Sequence, residues 1–213
     1  MARPKSRTQP CDRRAALNRL AQGESFLVAA ELVTADESDV ANPGVAAALA
    51  VLAGVAASDA ACCARLGVRF RGQSHDEAVA VLATVAPHGA EMAKDLSRLL
   101  NRKDDSHHGV TFVSSSDAQR MIGWAKRLVI MTGELWVDYL RTDGDSLTHT
   151  SVRNASPGVV LRVGDHVVVG NEDADLAVAR VASVGDDGVV LVAVLPGPVD
   201  AHRTLLRDQP ATT

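Results

Sequence analysis

A chain of 213 residues is long enough for one large domain or two small ones, each burying its own core. With 46% hydrophobic and 23% charged residues it has the balance of a soluble globular protein. Its net charge of -4 excludes the uniformly basic surface of a general nucleic-acid binder.

Aromatic residues make up only 3% of the chain, so the core has to be assembled from Ala, Val and Leu. Arg3, Lys5 and Arg7, with Arg13 and Arg14 just beyond, form a local basic stretch that could touch RNA. As a polar terminus, 1–11 is expected to be a disordered tail. The apolar spacing of Leu17, Leu20, Phe26, Leu27, Ala30 and Leu32 then predicts a helix over 14–33. An acidic loop follows, and Asn42-Pro43 opens a second helix over 44–66.

That second helix is apolar on nearly every face and is expected to be the buried centre of a bundle. Its uncharged run, Gly44 to Ser58, stops at Asp59, short of the roughly 20 residues that span a bilayer, so no membrane segment is expected. A carboxylate in such a helix needs a partner, which makes Asp59 either a hydrogen-bonded boundary residue or a site-lining group. Cys11, Cys62 and Cys63 show neither disulfide-framework nor zinc spacing. Cys62 and Cys63 are expected to be small core residues, in a reducing cytoplasm, since no apolar signal segment opens the sequence.

Ser74 with Glu77 is a capping box and opens a third helix through Ala78, Val79, Val81, Leu82 and Val85. Ala86-Pro87-His88-Gly89 interrupts it, and a helix resumes from Ala90 to Asn101. A polar connection, Arg102 to Gly109, comes next. Ser114 with Asp117 then starts a long helix expected to reach about Tyr139. From Asp143 to Pro157 the chain has the composition of a polar linker. Beyond Gly158, Val-rich runs between turn signals predict strands over 159–162, 166–169, 176–184 and 189–195, with a fifth over 202–206. So many strands in so short a stretch imply a small closed barrel. The end of the chain, 208–213, reads as a disordered tail.

The connection Leu99-Leu100-Asn101-Arg102-Lys103-Asp104-Asp105-Ser106-His107-His108-Gly109 packs an arginine, carboxylates and two imidazoles into few residues. Arginine stays charged and its fork matches phosphate oxygens, while histidine exchanges a proton near neutral pH. Arg102 and His107 together would suit cleavage of RNA by its own 2′-hydroxyl, with His107 moving the proton and Arg102 stabilising the phosphorane charge. The plainer alternative is a solvated helix terminus whose basic side chains cap carbonyls. Asp59, His75, Lys103, Asp104 and His108 are candidate lining residues; His75 is equally explained as a surface residue at a helix start. Phosphate-binding glycine loops, metal-ligand sets and nucleophile elbows are absent from the sequence, so neither a cofactor nor a metal is expected.

The helical order, the stretch from Leu99 to Gly109 and its continuation through Val113-Ser114-Ser115-Ser116-Asp117-Ala118 into Ala125-Lys126-Arg127-Leu128-Val129 resemble the HEPN domain superfamily. The segments Leu49 to Cys62 and Gly72 to Ala78 resemble an uncharacterised actinobacterial-type branch of it. The resemblance covers roughly residues 12–140. It implies a four- or five-helix bundle that homodimerises, with an Arg-x4-6-His motif whose two copies meet in one metal-independent ribonuclease site. Arg102 takes the motif arginine and His107 the motif histidine. Lys103 follows the arginine where nuclease members usually carry Asn, Asp or His, and other members keep the bundle as a non-catalytic module. A toxin or defence role is implied, with an antitoxin or a nucleotidyltransferase as partner protein. Gly109 holds the position of the tyrosine that such a transferase modifies. The turn Val163-Gly164-Asp165-His166-Val167 is similar to those of SH3-like barrels. The expected protein is therefore α+β in two domains: a HEPN-like bundle over 12–142, a linker over 143–157 and a small SH3-like β-barrel over 158–207.

Overall fold

The structure, a computed structural model, describes residues 7–35, 42–72, 74–86, 88–107, 113–156, 159–171 and 174–207, with the backbone alone for 103–107 and 207. The fold is α+β, and two compact units divide between Thr132 and Gly133.

In the first unit, α1 (Arg13–Ala35) and α2 (Pro43–Leu66) form an antiparallel pair, Gly23 of α1 lying against Ala53 and Ala57 of α2. Asn42 caps α2 by accepting from the Gly44 amide at 2.8 Å. Gly67 ends the helix at φ 66°, the left-handed conformation that glycine adopts without strain, and its amide donates to the Cys63 carbonyl. Alanines 46, 47, 50, 53, 56, 57 and 60 of α2 are fully buried. A Cβ at Gly54 would stand 2.4 Å from Leu99 Cδ1 and 3.2 Å from Leu128 Cδ1, so α4 (Gly89–His107) and α5 (Ser115–Met131) close on the same helix. By length and composition α2 could cross a membrane, but 67% of its most apolar window is buried, as in the core helix of a soluble protein. The Ser74 cap of α3 (His75–Ala83) forms as its capping box predicts.

Two expectations for this unit are corrected. The chain near the N-terminus is not wholly a tail: β1 (Thr8–Pro10) pairs antiparallel with β2 (Val68–Phe70), while residues 1–6 lie outside the described residues. Cys63 is not an unpaired core residue either. It forms a disulfide with Cys11 across 52 residues of sequence, fastening β1 to the last turn of α2. Cys62 is the buried free thiol.

The second unit is a curled mixed sheet in the order β3-β5-β6-β7-β4, a half-barrel. Its strands are β3 (Leu135–Trp136), β4 (Leu147–Ser151), β5 (His166–Asn171), β6 (Ala174–Val184) and β7 (Val189–Val194). β3 runs parallel to β5 and the other pairs are antiparallel. Register shifts at Val169/Asn171 and Val181/Ser183 sharpen the curl. Among the described residues β3 and β4 do not pair as strands, so the expected closed barrel is corrected to an open one. The gap is bridged: Thr150 Oγ1 donates to the Trp136 carbonyl at 2.7 Å, and Leu135 bridges to Ala155.

The element boundaries shift for physical reasons. α5 stops at Met131, not near Tyr139, because Thr132 caps it and Gly133 follows; Leu135 and Trp136 then enter the sheet. The expected linker holds β4, whose Thr148 and Thr150 are buried, after a turn in which the Asp143 carboxylate accepts from the amides of Asp145 and Leu147. Residues 159–162 form no strand. His202 to Leu206 is a 3-10 turn running into α6 (Arg203–Arg207) rather than a strand. That segment packs against β5 and β6, so Val168 and Val178 on one face are as buried as Val169 and Val181 on the other.

A loop the length of that closed by Cys11–Cys63 restricts the unfolded chain enough to contribute about 2–4 kcal/mol. Cys11→Ser is expected to lower urea stability by that amount. Burial, with the Asp59 charge beside it, pushes the Cys62 thiol up to about 12. Without reductant the native chain should therefore take up no alkylating agent, one equivalent after denaturation and three after denaturation with reduction. Mass spectrometry counts these, and any native uptake would contradict the arrangement.

Candidate functional site

The richest polar arrangement among the described residues lies along the seam of α4 and α5. Asp95, Arg98 and Arg102 follow an i, i+3, i+7 spacing on α4, and Asp117, Arg120, Trp124 and Arg127 follow i, i+3, i+7, i+10 on α5. Each set therefore forms one stripe of its helix. The stripes meet antiparallel. Arg127 grips the buried Asp95 carboxylate at both oxygens, Nε to Oδ2 at 2.8 Å and Nη2 to Oδ1 at 2.9 Å. Arg98 Nη1 adds a third bond to Oδ1 at 3.0 Å, and its guanidinium stands 5.7 Å from the Trp124 ring centroid. One turn on, Arg102 Nη2 lies 3.7 Å from Asp117 Oδ1 as an ion pair, and Arg120 donates a hydrogen bond to the same oxygen.

The Asp117 end is fixed by helix capping. The Ser114 hydroxyl accepts from the Asp117 amide at 3.1 Å and donates to its carboxylate at 2.7 Å. The Ser114 bond first, then the Arg120 bond and the charges of Arg120 and Arg102, hold the Asp117 carboxyl below its ordinary range. Asp95 is almost fully enclosed, whereas the four arginine side chains keep 42–61% of their surface exposed. Among the described side chains, four guanidiniums stand against two carboxylates along these stripes.

The expected site residues fall in several places. Arg102 belongs to the seam. α4 extends through His107, so the expected polar connection is corrected: its first six residues are helical. Arg102 and His107 stand five positions apart on one helix, about 140° around its axis, and do not share a face. The side chains of His107, Lys103 and Asp104 lie outside the described residues, and so does His108 altogether. Asp59 is bonded to Arg19 Nη2 of α1 at 2.7 Å. Burial raises its carboxyl, against the lowering effect of Arg19, Arg69 and Arg71. His75 is the first residue of α3, half-buried behind the Ser74 cap. Sequence reasoning missed Asp95, Arg98, Trp124 and Arg127, although their helical spacing could have marked them.

Among the described residues no group of three or more His, Cys, Asp or Glu side chains could hold a metal ion. Comparison with protein-family models, with curated proteins and with solved structures gives no match.

Asp95→Ala removes the acceptor of three charge-assisted bonds at a buried position. The exposed arginines can turn to water, so the expected loss is about 1–3 kcal/mol in urea denaturation. Arg102→Ala, at a half-exposed pair, should change stability by less than about 0.5 kcal/mol. Because the folded Asp117 carboxyl is lowered, its contribution is present above the ordinary carboxylate value of 3.8 and is lost as pH falls through the folded value. The stability advantage of wild type over Asp117→Asn should therefore hold at pH 7 and shrink below pH about 4. An advantage that persists at pH 2 would contradict this.

Proposed function

We propose that the chain binds RNA through the α4–α5 seam, as a homodimer with a HEPN-like helical unit and an SH3-like sheet. The observation that carries the reading is the row of half-exposed guanidiniums, with Trp124 set among them. Arginine forks match phosphate oxygens bidentately, and an aromatic ring beside them gives a base a surface to stack on.

The reading includes cleavage of RNA when two copies meet. Arg102 and His107 stand five positions apart on α4, about 140° around its axis. In this reading the metal-independent site forms where His107 acts beside an arginine of a second copy. Self-association has its own support. Val28 and Leu32 of α1 and Val45 and Leu52 of α2 are 47–66% exposed, and the antiparallel pairing of these helices gathers them at one end. A non-catalytic binding module is the alternative, and an antitoxin-like protein partner fits either. The RNA reading goes with a cytoplasmic setting, and the Cys11–Cys63 disulfide is the observation that weighs against a reducing one.

The test is cleavage of labelled tRNA and single-stranded RNA in excess EDTA, alongside binding by anisotropy and mass by light scattering. Arg102→Ala and His107→Ala should each abolish cleavage, while Arg102→Ala alone weakens binding about 5-fold, the value of one phosphate contact at 0.1 M salt. Binding without cleavage by a dimeric wild type would favour the non-catalytic module. A folded wild type that binds no RNA would overturn the reading.

A further inference from the structure

A second group of arginines lies away from the seam, on the β1–β2 ribbon. Its register pairs Gln9 with Arg69 and Thr8 with Phe70, and the Arg71 amide donates to the Arg7 carbonyl at 2.8 Å, which continues the pairing to Arg7 opposite Arg71. Partners across a ladder project to the same side, as do residues two apart on one strand. Arg7, Gln9, Arg69 and Arg71 therefore share one face, with Arg69 Nη2 donating to Gln9 at 3.1 Å. Two arginines directly opposite each other on a ribbon this short repel, and nothing in the pairing of strands calls for them.

Other features hold this arrangement in place. The Cys11–Cys63 disulfide and the Cys11 amide bond to the Gly67 carbonyl (2.9 Å) anchor the end of β1 one residue beyond Pro10. Arg7 is paired with Glu77 of α3. Arg19 of α1, bonded to Asp59, carries a buried Nε with no hydrogen-bond partner. The charges of Arg69 and Arg71 both reach Asp59. Arg7, Arg19, Arg69 and Arg71 thus gather around Asp59 and Glu77 on a chain whose net charge is -4.

We infer that the Arg7, Arg69 and Arg71 face of the clasped β1–β2 ribbon is a second phosphate-binding site, which takes the phosphodiester backbone of single-stranded RNA. Residues two apart on an extended strand leave the backbone about 7 Å from each other, close to the spacing of successive phosphates along a strand. A cross-linked ribbon presents them without the ordering cost a free tail would carry. The naming of RNA as the source of the phosphates rests on the function proposed above; the phosphate chemistry does not.

The test is anisotropy of a fluorescent single-stranded RNA with the full chain, from 50 to 300 mM NaCl. The variants are Arg69→Gln/Arg71→Gln, Arg69→Lys/Arg71→Lys and Arg102→Gln, each checked for an unchanged thermal melt. Losing two phosphate contacts should flatten the slope of log K against log salt by about 1.4 and weaken binding about 25-fold at 0.1 M salt. The lysine pair should retain the slope, because it keeps the charge. A Gln pair that binds with wild-type affinity and slope, while Arg102→Gln weakens binding, overturns this inference and leaves the seam as the RNA site. Weakening by the Gln pair with none by Arg102→Gln supports the ribbon and counts against the seam. Pyrophosphate at millimolar concentration that protects the ribbon variants and wild type equally from thermal unfolding, with no RNA bound by any of them, overturns both.

Discussion

Close backbone approach along α2 is the constraint from which the helical unit follows. With few aromatic side chains to fill space, the core gains its contact area by bringing helices together over alanine and glycine. The buried alanines of α2 let α1 lie against it on one side, and Gly54 leaves room for Leu99 and Leu128 on the other. A core of this kind is unforgiving of added volume, since its neighbours are backbone as often as flexible side chains. It also settles where polar groups can go. Asp59 sits on the one boundary of α2 where a guanidinium from α1 reaches it, and Ser58, one residue earlier, returns its hydroxyl to the Gly54 carbonyl.

The seam of α4 and α5 is a consequence of the same packing. Leu99 and Leu128 are drawn onto α2, and this turns the stripes carrying Asp95, Arg98, Arg102 and their α5 counterparts towards each other at the edge of the contact. Asp95 is enclosed there and takes three donors, so the desolvation of its charge is answered by directed bonds. Asp117, at the other end, is solvated and is held by a cap and two guanidiniums. One ladder thus runs from a structural end to an exposed end, and Arg102 stands at the exposed one.

Much of the helical unit was legible in the sequence because its signals are local. Caps at Ser74 and Ser114, the Asn42-Pro43 start and the apolar α2 each depend on residues a few positions apart, and each of these helices begins where those signals put it. What escaped notice depends on distant partners. Nothing in the spacing of Cys11, Cys62 and Cys63 says which of the adjacent pair meets Cys11; the pairing of β1 with β2 decides it. The stop at Thr132-Gly133 was overridden by the apolar pattern that continues through Leu135, although those residues are apolar because the sheet buries them. Of the site, Arg102 was legible as a charged residue in a polar cluster. The loop expected after Asn101 is helix instead, because α4 continues through His107.

The carboxylates of the seam do not exhaust its arginines. A guanidinium carries five N–H donors, and a carboxylate offers about four acceptor positions. Arg127 commits two donors to Asp95 and keeps half its side-chain surface in solvent; Arg98 commits one and lays its plane towards Trp124. Holding two helices together and presenting donors to a ligand are therefore compatible roles for the same side chains. Lysine would serve neither as well, having a compact charge with no fork to span both oxygens of Asp95 and no plane to set against an aromatic ring. Under the RNA-binding proposal the buried carboxylate has a second consequence: Asp95 fixes the guanidiniums of Arg98 and Arg127 from beneath, which would lower the entropy a phosphate has to remove on binding.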